Sequence, residues 1–335
     1  MAKRSFNKKA RALAPAVMKL HFVVPVTGTG SSTSYISISN AVSRLNRRFY
    51  RQGLNWAIAN VKVSQLQGTA AASGSTCYVN TIPHTWTTAN AWMKSFSLWK
   101  KQQDDALMAS DSMETAARFR DFKIRMEFSH DLATNLSPVS VGPGRVVGPF
   151  QTGLISSSPV QLSPEWIQSQ IVVPNDGAPG VTNEYSLHMV GPDVTTSKGM
   201  IQGYSDSRDR PHSPDPDAPI ISLGWMQEMF DVGGDSTDVT DNAQFRNNEL
   251  PYNQDAYPGG STNFVELETQ GYNWNQSTVG INTFHTGPFT APCGLIRIDF
   301  LNQAELAGST NQNLITVELV PGNHRGYLCE TMEEF

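Results

Sequence analysis

Along most of this chain, short runs of alternating apolar and polar residues, or clusters of β-branched and aromatic residues, sit between turn-forming residues. Such runs predict strands. They fall at LHFVVPV (20–26), SYISIS (34–39), NWAIANVKVSQL (55–66) and STCYVNTIPHTW (75–86). RFRDFKIRMEFSH (118–130) sets Phe122, Ile124, Met126 and Phe128 against charged residues, the pattern of a half-exposed strand. Further strands are predicted at WIQSQIVVP (166–174), EYSLHMVG (184–191) and GMIQGYSDS (199–207). Four more, NFVELETQ (263–270), TVGINTFH (278–285), GLIRIDFL (294–301) and LITVELVP (314–321), close the chain, and the tail HRGYLCETMEEF adds a last one.

Helical spacing replaces alternation in a few places. In NAVSRLNRRFYRQG (40–53), Val42, Leu45 and Phe49 recur at three and four residues, with Asn40 as the expected cap and Gly53 as the expected stop. TTANAWMKSFSLWKKQQDDAL (87–107) places Trp92, Phe96 and Trp99 on one helical face behind a threonine cap. That aromatic stripe is expected to be core, on a helix laid against the outside of a sheet. SLGWMQEMF (222–230) is expected to form a short helix. Residues 131–164, rich in Gly, Pro and Ser, form a long connection of the kind that is functional or flexible in compact domains. The count, about twelve to thirteen strands and two or three helices, predicts an all-β antiparallel jelly-roll sandwich with long loop insertions. Strands do not alternate with helices, which argues against a parallel α/β sheet.

Composition agrees. The 335 residues hold 46 Gly and Pro, only 16% charged residues and 39% hydrophobic ones, enough apolar material for a sizeable core. Three cysteines are too few for a disulfide scaffold. No apolar run reaches membrane-spanning length, and the first twenty residues lack a signal-type apolar stretch. A protein made in a reducing compartment without a secretory step is expected.

Charge changes the picture more. The net charge is −5, but residues 1–103 hold fourteen Lys/Arg and no acid, while residues 104–335 hold eleven Lys/Arg against thirty acids. Such asymmetry points to a polyanionic partner met by one part of the molecule. Lys3, Arg4, Lys8, Lys9, Arg11 and Lys19 form a basic N-terminal arm over 1–19, ahead of a shell domain over 20–335. Arg44, Arg47, Arg48 and Arg51 line the helix predicted at 40–53. Lys/Arg clusters of this sort bind phosphates by releasing counterions and need no sequence readout. A solvated helix face explains the second group equally well. Residues 206–260 form an acidic, loop-rich insertion with eleven acids and three arginines.

Catalytic chemistry is not visible. There is no GxSxG, HExxH or Cys-x-x-Cys, and the seven histidines have no metal-like spacing. No cofactor is expected. Asp231, Asp235, Asp238 and Asp241 supply hard oxygens of the kind calcium takes, with Asp206, Asp209, Asp215 and Asp217 nearby, but the spacing is not that of an EF-hand. A solvated acidic loop is the favoured reading over a calcium site.

The segments NRRFYRQGLNWAIANV (46–61), TIPHTWTTANAW (81–92), EYSLHMVG (184–191), EMFDVG (228–233), LPYNQDAYPGGSTN (250–263), APCGLIRI (291–298) and LVPGNHRGYL (319–328) carry a resemblance. With the acid-free N-terminus, they are similar to capsid proteins of small circular single-stranded DNA viruses, diffusely over most of the chain. The resemblance implies a jelly-roll fold, self-assembly into an icosahedral shell, enclosure of a genome and residence in the virion. It also implies that the basic arm faces the interior, a role that Lys3, Arg4, Lys8, Lys9 and Arg11 match in part, since the arm is short and the chain is acidic overall. A compact double jelly roll over an internal membrane is the alternative; it needs about sixteen strands, so one barrel is expected. Trp86, Trp166, Trp225 and Trp274 are candidates for subunit anchors, with a core role equally open. No residue pattern names a host or its surface receptor. A non-shell nucleic-acid-binding β domain and a lectin-like or carbohydrate-active sandwich are the competing readings.

Overall fold

The computed structural model describes residues 15–27, 30–66, 75–111, 122–127, 130, 135–139, 169–174, 182–190, 197–201, 203–204, 267–275, 281–302 and 310–332. In chain order the elements are β1 (Lys19–Thr27), β2 (Gly30–Ser37), α1 (Ile38–Asn46), β3 (Leu54–Leu66), β4 (Ser75–Thr81) and α2 (Trp86–Ala109). Then come β5 (Gln170–Pro174), β6 (Thr182–Ser186), β7 (Met189–Val190), β8 (Ser197–Lys198), β9 (Glu268–Asn275), β10 (Ile281–His285) and β11 (Phe289–Ala291). A 3-10 turn at Pro292–Gly294 leads to β12 (Leu295–Asn302), β13 (Thr310–Leu319), β14 (Pro321–Gly322), β15 (Gly326–Tyr327) and β16 (Cys329–Thr331).

The long strands form two antiparallel sheets. One has the order β1-β13-β3-β10, with β11 and β16 also paired to β3; the other has the order β2-β12-β4-β9. Alternation fixes which side of each strand is buried. Leu20, Phe22 and Val24 of β1, Trp56, Ile58, Val61 and Val63 of β3, and Ile315 and Val317 of β13 meet Cys77 and Val79 of β4 and Ile296, Ile298 and Phe300 of β12 in one core. The two sheets therefore face each other as an all-β sandwich. Among the described residues there is one such pair of facing sheets.

The chain between β4 and β9 builds a second core on the outer side of the second sheet. Trp92 and Leu98 of α2, Phe122, Ile124, Met126, and Ile171 and Val173 of β5 pack there with Tyr35 and Leu295 of the sandwich. The expected aromatic stripe on α2 is core: Trp92 and Phe96 stack with ring centroids 5.2 Å apart, and Trp99 and Phe122 complete the cluster. The Thr85 side chain caps α2 by accepting from the Thr88 amide.

Part of this second unit is also a strap. Leu136 N–H donates to the Tyr35 carbonyl of β2, and Val139 N–H donates to the His21 carbonyl of β1. These two strands are the ends of their sheets. The strap thus uses edge groups that otherwise invite pairing with another chain.

Several expectations are corrected. The segment 118–130 is not a ladder strand: its described residues show one bridge, Ile124 to Leu187, although Phe122, Ile124 and Met126 alternate inward as the pattern required. Gln52 takes the place of a partner strand, accepting from Ile124 N–H at 2.5 Å and donating to the Ile124 carbonyl at 3.0 Å. The run 199–207 is not a strand: its first described residues include a helical turn. The helix predicted over 40–53 spans Ile38–Asn46, preceded by Ser37, whose side chain makes no capping bond, and ended by Arg47, so Asn40 lies buried inside it and Arg48 and Arg51 lie beyond it. Gly53 has another purpose: a Cβ there would sit 2.1 Å from Cζ2 of Trp92. The acidic insertion over 206–260 and the helix predicted at 222–230 lie outside the described residues.

Candidate nucleic-acid interface

Asn46, the last residue of α1, organises one end of the sandwich. Its Oδ1 accepts from Val17 N–H at 3.0 Å, and its Nδ2 donates to the Tyr327 hydroxyl at 2.7 Å and to the Val42 carbonyl at 3.0 Å. The Tyr327 hydroxyl in turn donates to the Val17 carbonyl at 2.7 Å. Residues 15–18, which lead from the N-terminal segment into β1, are therefore clamped between the end of α1 and β15. Burial pushes the Tyr327 phenol up to about 12, against the hydrogen bond from Asn46.

Beneath this clamp lies a packed aromatic group. Tyr50, Trp56 and Tyr327 are all fully buried, with ring centroids 5.4 to 6.1 Å apart. Tyr50 N–H donates to Ser43 Oγ, and its hydroxyl donates to the Arg325 carbonyl. The close approach at Gly294, where a Cβ would meet the Trp56 indole at 2.9 Å, completes the packing below.

This rigid base carries cations on its outer side. Arg47 ends α1 in the left-handed region (φ 53°), and its N–H and that of Arg48 return to the Ser43 carbonyl. Arg325 takes the same conformation (φ 51°) in the tight turn between β14 and β15 and donates from Nη1 to the Phe49 carbonyl. Burial pushes the Tyr50 phenol up, while the positive charges of Arg48 and Arg325 pull it back. Arg47, Arg48, Arg51 and Arg325 are all exposed. Among the described residues none of the four forms an ion pair with a carboxylate. Cations after the last turn also complement the negative end of the α1 dipole.

The sequence-derived residues separate into three groups. Arg47 and Arg48 close α1 at this end, and Arg51, exposed, follows the buried Tyr50 in the chain. Arg44 is half-buried on α1, where burial lowers its pKa. Lys19 opens β1 instead of ending an arm, and its Nζ pairs with Glu318 at 2.7 Å. Lys3, Arg4, Lys8, Lys9 and Arg11, together with Asp231, Asp235, Asp238 and Asp241, lie outside the described residues. Among the described residues no cluster of three or more His, Cys, Asp or Glu side chains could hold a metal.

Arg325 was missed by sequence reading because it stands alone in LVPGNHRGYL, 274 positions after Arg51 (325 − 51). Its only local signal is the turn chemistry of Gly322 and Gly326, which does not say what the turn packs against.

The arrangement suits a phosphate chain. Guanidinium groups bind phosphate bidentately and stay charged at any working pH. Burial pushes the Cys77 and Cys329 thiols up to about 12 and raises Cys293 further, which removes them as thiolates near neutral pH.

No protein-family model, curated protein or solved structure matches this chain.

Proposed function

We propose that this chain is the coat protein of a small virus. It is a structural protein, not an enzyme, that assembles with copies of itself into an icosahedral shell around a genome, single-stranded DNA by preference. We also propose that its two sheets are those of a jelly roll. The observation that carries this reading is the strand order. Numbering β1, β2, β3, β4, β9, β10, β12 and β13 from one to eight, the sheets run 1-8-3-6 and 2-7-4-5. The first strand pairs with the eighth, the second with the seventh, the third with the sixth and the fourth with the fifth, every pair antiparallel. A long double-layered ribbon rolled around itself has that order, and capsid domains are among its commonest uses.

The cationic end supports a nucleic-acid partner. The chain enters the sandwich at Val17, which is bonded to Asn46, next to Arg47, and to Tyr327, two positions after Arg325. Basic residues distant in sequence therefore meet at one surface, while the thirty acids all follow position 103. Among the described residues no helix is long and apolar enough to cross a membrane.

Electron microscopy of the purified full chain, with absorbance at 260 and 280 nm on the same fraction, tests the shell. Uniform particles of closed symmetry are expected, and a small monodisperse species in every buffer overturns the shell in favour of a non-shell binding module. The interface is tested by a salt titration with single-stranded DNA. The quadruple variant Arg47→Ala, Arg48→Ala, Arg51→Ala, Arg325→Ala should lower the slope of log K against log salt by about 3, since each single-strand phosphate contact contributes about 0.7. An unchanged slope removes this surface from the interface.

A further inference from the structure

On the outer face of the second sheet, the strand registers place Ser31, Leu301, Thr76 and Trp274 in one row and Thr33, Asp299, Tyr78 and Tyr272 in the next. The row below belongs to the second core, because Tyr35 is buried there and Arg297 is held by Glu127 and Asp299. The upper two rows carry four large apolar side chains that remain in water: Tyr78 (38% exposed), Leu301 (39%), Trp274 (60%) and Tyr272 (67%). The Tyr78 and Tyr272 rings lie 6.4 Å apart at an interplanar angle of 27°. Among the described residues no core packs on this part of the face, and the side chains it exposes include tyrosine and tryptophan, whose polar tips suit a wet surface.

We infer that this aromatic face binds a neutral carbohydrate. Three features select that occupant. The first is charge. Arg297 is the face's cation, and its guanidinium is occupied by Glu127 at 2.5 Å and Asp299 at 2.9 Å. The Asp299 carboxylate also accepts from Thr33 and Asn80. Among the described residues the open rows thus present no free charge, so an uncharged ligand complements them and a phosphate chain or sulfated glycan does not. The second is area. Three aromatics of about 200 Å2 each, exposed to these degrees, offer on the order of 350 Å2. That is less than half of the roughly 800 Å2 per partner that a stable protein interface buries. The third is shape. Neighbouring strands lie about 4.8 Å apart and alternate residues roughly 6.7 Å apart, so the three rings cover a footprint of two to three pyranose rings. The CH-rich face of a pyranose packs flat on an aromatic ring, and Ser31 and Thr33 border the patch with hydroxyl oxygens for the sugar hydroxyls.

The inference does not depend on the shell or on the arginine surface, and its test is separate from theirs. The full-length protein is applied to neutral, sialylated and sulfated oligosaccharides immobilised at equal density. The strongest neutral binder is then titrated against the wild type and against Trp274→Ala, Tyr272→Ala and Trp274→Phe, followed by tryptophan fluorescence and calorimetry. Binding to neutral glycans is expected, with affinity falling at least tenfold in each alanine variant and largely restored by phenylalanine. Both side chains stand in solvent, so the melting temperature should hold. Absence of neutral-glycan binding, binding confined to sulfated or sialylated glycans, or alanine variants that bind as well as the wild type each overturns the inference. So does a change in oligomeric state caused by Trp274→Ala, which would make the face a self-association surface.

Discussion

Arg47 shows how one residue can serve both folding and binding, and how the two can be separated. Its left-handed backbone turns the chain out of α1, and for a residue with a Cβ that conformation costs about 1 kcal/mol. Glycine takes it freely, but it also adds entropy to the unfolded chain. Arg47→Gly should therefore leave stability unchanged or raise it by about 0.5 kcal/mol. The same variant should shallow the salt slope for single-stranded DNA by about 0.7. Thermal melting and a DNA titration on one preparation measure both, and a melting point several degrees lower would mean that the guanidinium also holds the fold. Arg48 and Arg51 were legible as candidate phosphate ligands from their place in an acid-free region. Arg44 was equally legible but is turned into the packing, because spacing on a short helix does not say which face the sandwich will cover.

At the scale of elements, the sandwich and the second core are joined at Gln52 and Gly53. Gln52 satisfies both backbone groups of Ile124, and Gly53 leaves room for the Trp92 ring of α2. Gly53 is easily read as a helix stop, and the stop turns out to be seven residues earlier, at Asn46 (53 − 46). The contact with Trp92 is invisible in sequence because the two residues are 39 positions apart (92 − 53). Gly53→Ala forces a buried ring or the backbone to move and should cost about 2–3 kcal/mol. A lowered melting temperature with loss of tryptophan near-ultraviolet dichroism is the expected signature. An alanine variant as stable as the wild type would mean that α2 is docked more loosely than its packing implies.

Across the whole molecule, protons act through histidines that the fold buries on different elements. His21 on β1, His188 between β6 and β7, and His324 in the turn before β15 all have lowered pKa values, in each case first by burial. Below their ordinary value near 6.5, the unfolded chain binds protons that the folded chain refuses. Stability therefore rises with pH through this range, is fully present above pH 6.5, and is lost as pH falls below it. Melting temperatures between pH 5 and 8 should decline on the acid side, with His188→Gln flattening part of the decline. A flat profile for the wild type would show that these rings gain compensating partners when charged. Glu318 works in the same direction at lower pH: its bond from Lys19 holds the carboxylate below its usual range, and that contribution disappears once the acid protonates.

The sequence by itself determined most of the sandwich strands, the existence of two helices, the burial of alternate residues and the segregation of charge, because each follows from periodicity or composition within a short window. The described strands β1, β3, β4, β10, β12 and β13 fall within a few residues of the runs that predicted them. Tertiary structure alone decided three things. It paired β1 with β13, it joined Arg325 to Phe49 and Tyr50 across the chain, and it left Tyr78, Tyr272 and Trp274 in water on a face whose lower part is covered. The physical reason is the same each time. Periodicity says which side of a strand is apolar, but which strand becomes its neighbour, and whether anything covers its outer side, depends on how distant segments close on one another.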